Sequence, residues 1–316
     1  MNGGGMRTRA LALALAVLAL LPFASHSQFL VNLAMLTAIS AALGQAWNIA
    51  GGFGGLTSFG HAAFFGLGAY ADAILQTRYG CNPWLGLPAA AALGGGAGWL
   101  IGIATFRAGL RGSYFALVTL AFAEAFGILA NSLDITGGGT GILVALHPGF
   151  AHFQFADRRA GYALAIVLLG IATFAAWRLS VGRFGAQLLA VRENEDAARA
   201  LGVAAVRVKS AALALSGALT ALGGVLYVQS YLYIDPGIAF TAERSVEMLL
   251  VAMIGGAGTV LGPLLGALVV HAIADTTRSL IATPGVAPLL YGVVLLLIIG
   301  LLPGGVARLA VARGDG

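Results

Sequence analysis

The chain alternates long apolar blocks with short polar breaks. The blocks are longer and more uniform than the half-polar faces of a water-soluble fold. Blocks near 29–49, 60–77, 84–105, 113–131, 160–177, 210–232, 264–275 and 287–302 predict membrane-spanning helices. Residues 1–28 carry LALALAVLALLPFA behind Arg7 and Arg9. A basic start and a short apolar core also fit a cleaved signal peptide. No clean A-x-A site follows, so a retained first span is the expectation. The piece 245–254 reaches spanning length only if 255–260 continues it. The sum is an all-α polytopic membrane protein of about ten transmembrane helices, read as one domain over 1–316.

Two kinds of segment depart from the pattern. Glycine-rich stretches, GGFGGLTSFG (51–60) and GGAGTVLG (255–262), share G-G-x-G, and each precedes a further apolar run. Glycine at that density opposes a regular helix. Both read as discontinuous elements, either from convergent Gly-rich packing or as paired breaks beside a transport pathway. The other departure is 178–209, which holds Arg178, Arg183, Arg192, Arg199, Arg207, Lys209, Glu193, Glu195 and Asp196. Such a segment must lie in water. Within it, 190–202 predicts one helix, with Glu195 and Arg199 at i, i+4 and Gly202 as its C-cap. Ala197, Ala198 and Leu201 give that helix a small apolar face.

Composition sharpens the class. Hydrophobic residues make up 59% and charged residues 9%, with mean hydropathy +0.92, too little charge to cover a soluble domain. The 47 glycines suit close approach of helices in lipid. The net charge of +5 is spread over short loops without a basic-aromatic cluster, which speaks for membrane orientation and against nucleic acid. Ten crossings with the N-terminus inside put Arg7, Arg9, Arg107, Arg111, the bases of 178–209, Arg308 and Arg313 on the cytoplasmic side. They put Arg78, Arg158, Arg159, Arg244 and Arg278 outside. That excess supports cytoplasmic termini, a cytoplasmic 178–209 and an extracytoplasmic loop at 132–159. One cysteine, Cys81, excludes an internal disulfide, and no cluster has metal-ligand spacing.

Several residues invite chemistry. Glu124 lies mid-span, where a carboxyl needs a partner or water. It either lines a pathway or is satisfied by a neighbouring helix. Ser58 and His61 either line the pathway or bond helix to helix, and Gly255 and Gly256 mark the second break. Gly137, Gly138, Gly139 and Gly141 shape the outer loop, where a partner could touch. No nucleophile–base pair or metal site supports an enzyme. An ion-coupled transporter would need several central acids, and Glu124 is the one convincingly central.

The core Asp196-Ala197-Ala198-x-x-x-Gly202 resembles the E-A-A-x-x-x-G signature of ABC-importer permeases, with Asp for Glu. GLTSFGHAAFFGLGAYADAIL, LRGSYFALVTLAFAEAF, TGGGTGI, GRFGAQLLAVRENEDAARALGV and MIGGAGTVLGPLLGALVV are similar to the branched-chain amino acid permease family, in its LivM-type subunit. They touch about 47–302 in the family's order. Departures are Asp196, the tail LLPGGVARL, and Ser113 after LRG, where an acid is frequent. The resemblance implies half of a translocation pathway, paired with a second related permease in the inner membrane of a bacterium. It implies two ATPase subunits that bind ATP and Mg, and an extracytoplasmic solute-binding protein. It maps the ATPase-coupling element onto Arg192, Glu193, Glu195, Asp196, Ala197, Ala198, Arg199 and Gly202. No Walker A sequence occurs, so the motor is expected on another chain. The solute implied is a branched-chain or related amino acid, with urea, short amides or another small polar solute as the alternative.

Overall fold

The computed structural model describes residues 27–155, 157–280, 289, 292–293, 296–297, 300–301 and 304–307. The first expected span and most of the last lie outside the described residues. Those described form α1 (Gln28–Asn48, running on as a π-helical turn Ile49–Phe53), α2 (His61–Tyr79), α3 (Gly86–Arg107) and α4 (Gly112–Ser132). Then come β1 (Ile142–Leu143), α5 (Arg158–Val181), α6 (Arg183–Glu193), α7 (Glu195–Ala200) and α8 (Ala205–Tyr231). β2 (Tyr233–Ile234), α9 (Pro236–Ala239), α10 (Ala242–Gly255) and α11 (Gly262–Leu280) follow.

The chain is an all-α polytopic membrane protein. Among the described residues, five segments are long and apolar enough to cross a bilayer: Gln28–Phe53, Pro83–Arg107, Gly112–Ser132, Arg158–Val181 and Ala205–Tyr231. α8 is the centre, against α3, α2 and α1. Small residues set that closeness. Gly94, Gly98 and Gly102 recur at i, i+4 on α3, and a Cβ at Gly94 would fall 2.5 Å from the Gly217 carbonyl on α8. Lipid offers no hydrophobic drive between helices, so such close approach is what holds them.

α5 separates two ends. At one end lie α6 and α7; at the other, 133–155 folds back over the bundle. There β1 pairs antiparallel with β2, with Ile142 opposite Ile234. Between α8 and α10 the chain thus forms a strand and the short helix α9.

Two expectations change. The helix predicted over 190–202 is two helices, broken at Asn194, whose backbone is extended (φ −153°, ψ 102°). Its side-chain Oδ1 accepts from the amides of Asp196 (3.1 Å) and Ala197 (3.0 Å), so Asn194 caps α7 and ends α6. α10 is 14 residues long, about 21 Å, too short to cross alone. It runs beside α1 in the same direction: Val251 lies on Gly44, and the Gly258 amide donates to Asn48 Oδ1 (2.7 Å). Because the two end together and α1 has 21 residues, α10 starts about 10 Å inside the bundle. The stretch 51–60 is discontinuous, as expected: a π-helical turn followed by non-helical chain, with Gly52, Gly54, Leu56, Ser58 and Gly60 buried and Gly55 and Thr57 exposed.

Candidate coupling surface and the paired helix breaks

Glu195, the first residue of α7, is 9% exposed and gathers three cations. Arg199 Nη2 lies 2.6 Å from Oε1; Lys209 Nζ (3.0 Å) and Arg111 Nε (3.2 Å) reach Oε2. Lys209 is itself nearly buried and lies 4.5 Å from the centre of the Phe106 ring. The cluster joins α7 to the start of α8 and to the α3–α4 turn. Asp196, the motif acid, is by contrast exposed, with Arg111 Nη2 at 3.7 Å.

The apolar face expected from Ala197, Ala198 and Leu201 divides. Ala198 turns inward among Val191, Val203 and Ala205. Ala197 is exposed and Leu201 is 85% exposed, so the outward face is theirs. Gly202 closes α7 with φ +85°, its amide donating to the Arg199 carbonyl (2.9 Å). The space beside it is open, so glycine is needed there for its backbone angle and not for room.

Arg192 and Glu193 end α6. Arg192 Nε lies 3.4 Å from Glu193 Oε1, and its Nη1 donates 2.8 Å to the carbonyl of Gly52 in the first break. The arginine stem lies along Gly55 (φ +65°), where a Cβ would come within 2.7 Å of its Cγ. The second break sits against the first. Asn48 Nδ2 donates to Thr259 O (2.9 Å), Gln45 Nε2 to Val260 O (3.1 Å), and a Cβ on Gly52 would stand 2.4 Å from the Gly258 nitrogen. The two G-G-x-G stretches are therefore a matched pair: helix, break, returning helix, set back to back and joined through Asn48 and Gln45, with Arg192 bonded to the first.

Ser58 and His61 are both fully buried, and their hydrogen bonds run between helices. Ser216 Oγ donates to the Ala46 carbonyl (2.6 Å), so it accepts from His61 Nε2–H (2.7 Å). Ser58 Oγ accepts from the Gly60 amide and faces His61 Nδ1 (3.2 Å), so its hydroxyl proton goes to that nitrogen. Every polar atom of this trio is used, which fixes the imidazole neutral with the proton on Nε2. The Trp47 indole closes the knot by donating to Ser58 O (2.9 Å). Gly255 and Gly256 are buried too. A Cβ on Gly255 would meet the Gly262 carbonyl at 1.8 Å, so this glycine is there for the approach of α10 to α11.

Glu124 is exposed on the face of α4 that points away from the bundle, so no helix among the described residues satisfies it. Gly137, Gly138 and Gly141 take left-handed angles (φ 76°, 56° and 71°) around exposed Gly139, in a loop at the end opposite α7. Residues missed from sequence are Arg111, Asn48 and Asn194. Only Asn194 had a local signal, an Asn before an acidic first turn.

The family model described as branched-chain amino acid transport system, permease component, matches residues 29–299. The high-affinity branched-chain amino acid transport system permease protein LivM of Escherichia coli (strain K12) is 31% identical, over 88% of this chain and 70% of the relative. LivM of Salmonella typhimurium is 30% identical over the same shares. The autoinducer 2 import system permease protein LsrC of Klebsiella pneumoniae is 34% identical, over 38% of this chain and 35% of its own length. No solved structure matches. A polytopic helical chain with this near full-length match belongs to the permease-component family of branched-chain amino acid transport systems.

Proposed function

We propose that this chain is one of two permease subunits of an ATP-driven importer for branched-chain or related aliphatic amino acids. The observation that carries the reading is the 31% identity to LivM over 88% of the chain, because a match of that length spans both breaks and the whole charged segment. The chain contributes half of the pathway, and a second related permease supplies the rest. α6 and α7 face the cytoplasm, where the excess of bases belongs. The exposed Ala197–Leu201 face of α7 seats in a groove on a separate ATPase subunit, which binds ATP and Mg. An extracytoplasmic binding protein delivers the solute to the opposite end, at the loop around Gly139. The membrane is the inner membrane of a bacterium, with both termini cytoplasmic.

A second reading keeps the architecture and changes the solute to urea, a short amide or another small polar molecule. It is favoured by the shorter match to LsrC, a permease named for a different cargo.

Leu201→Asp tests the coupling assignment. The side chain is exposed, so insertion and folding are expected to persist. Co-purification of the ATPase and uptake of radiolabelled leucine are expected to be lost. Normal association and uptake in the variant would overturn the assignment. Uptake of urea but not leucine by the unaltered importer would transfer the reading to the second solute class.

A further inference from the structure

A cavity of about 580 Å³ lies within the bundle between α1, α2, α8, α10 and α11, apart from both breaks and from the exposed face of α4. Because α10 starts about 10 Å inside the bundle, its first turn brings charge into this space. Arg244 Nη1 bonds Glu247 Oε2 (3.1 Å), and the guanidinium carbon stands 5.1 Å from the Phe65 ring centre and 5.2 Å from that of Tyr227. The guanidinium is thus held by two aromatic rings and one carboxylate, and the other donors of its five-donor fork make no hydrogen bond among the described residues. Glu243 lines the same cavity and has no ion-pair partner among the described residues. On the facing helix α11, Asp275 Oδ2 accepts no hydrogen bond among the described residues. The remaining wall is aliphatic, formed by residues such as Leu36, Ile39 and Leu250.

Charged groups at membrane depth are costly and persist where they bind something. Here one cation with spare planar donors stands beside acids with spare acceptors, over an aliphatic wall. We infer that this cavity is a binding site, within a single permease subunit, for an aliphatic amino acid in its zwitterionic form. Arg244 takes the carboxylate, Glu243 and Glu247 take the ammonium, and the side chain lies along α1 and α10. A volume of this size holds one such molecule with water, within the usual range for small-ligand sites. The site rests on the amino-acid importer reading and adds to it a place where the permease itself inspects the solute.

The test uses the assembled importer, both permeases with the ATPase, purified without its binding protein. Binding of radiolabelled leucine is measured by equilibrium dialysis. Two competitors each lack one charge: 3-methylbutylamine has no carboxylate and 4-methylpentanoate no ammonium. Leucine is expected to bind, with each competitor weaker by about tenfold or more. Arg244→Gln is expected to weaken leucine to the level of the amine, and Glu243→Gln to weaken it toward the level of the acid. ATPase association should be unchanged in both, and thermal unfolding unchanged in Glu243→Gln, whose side chain is exposed. If Arg244→Gln fails to fold, the competitor series on the unaltered complex and Glu243→Gln still decide. Uptake with the binding protein present, but no leucine binding without it, would overturn the site and leave the importer reading standing. Equal binding of the amine would overturn the zwitterion assignment. No leucine uptake even with the binding protein would bring down the importer reading and the site with it.

Discussion

Glu195 and Lys209 are both nearly out of solvent, so each depends on the other. Removing one partner of a buried pair typically costs about 3–5 kcal/mol, because the survivor keeps its charge without compensation. Glu195→Gln is therefore expected to lower thermal stability strongly, measured by unfolding of the purified protein in detergent. Glu195→Gln with Lys209→Met should recover part of that loss, since no buried charge then remains. An equal loss in the single and double variants would count against the pair. The knot around His61 makes a parallel case without charge. Ser216→Ala strips the imidazole N–H of its acceptor and the Ala46 carbonyl of a donor, at an expected cost of about 1–3 kcal/mol in the same assay. A wild-type melting curve for that variant would mean the knot contributes nothing. At this scale the sequence was a partial guide. The motif drew attention to Asp196, yet the acid the fold buries and pairs is its neighbour Glu195, whose partner Arg111 comes from an element far away in sequence. Likewise nothing local to Ser58 or His61 announced that Ser216 would stand between them and α1.

α6 and α7 show why a helix-favouring composition can mislead. Ala, Arg, Glu and Leu favour helix through 190–202, and propensity alone runs the helix through Asn194. The alternative is better because an extended Asn194 satisfies two free amides of α7 and turns Ala198 inward. Asn194→Ala is expected to cost about 1 kcal/mol, read as a lower melting temperature. No change would mean that the cap is dispensable. The break also aims Arg192 at Gly52. The two Gly-rich stretches were legible as a pair, but their contact was not, because it depends on Asn48 and Gln45, ordinary polar residues inside an apolar run. Arg192 is the one side chain of the charged segment that hydrogen-bonds the backbone of a break among the described residues. Any movement of α6 pulls on that carbonyl. Arg192→Gln shortens the reach while keeping the segment's fold. It is expected to lower the amount of leucine imported per ATP hydrolysed, with ATPase association intact. An unchanged ratio would show that motion reaches the breaks by another route.

At the scale of the molecule, the outward faces of the long helices are not alike. α5 shows solvent Val167, Ile171 and Phe174, and α3 shows Leu93 and Leu100, faces that lipid can cover at no cost. α4 shows Leu117 and Ile128, but between them stands exposed Glu124, and few of its residues turn inward. A carboxylate in the middle of a lipid-facing stripe costs several kcal/mol, and it is tolerated where protein or water covers it. On the proposed function, α5 and α3 are therefore expected to meet lipid, and α4 to meet the second permease. Glu124, mid-span by sequence, pointed to this without saying which way it faced, since direction depends on which side of α4 the bundle occupies. A photo-crosslinking residue at Ile128 is expected to join this chain to the second permease in the assembled importer. The same residue at Val167 is expected to label lipid only. Crosslinking to the partner from Val167 and not from Ile128 would move the interface to α5, and the exposed carboxylate on α4 would then need a cover of another kind.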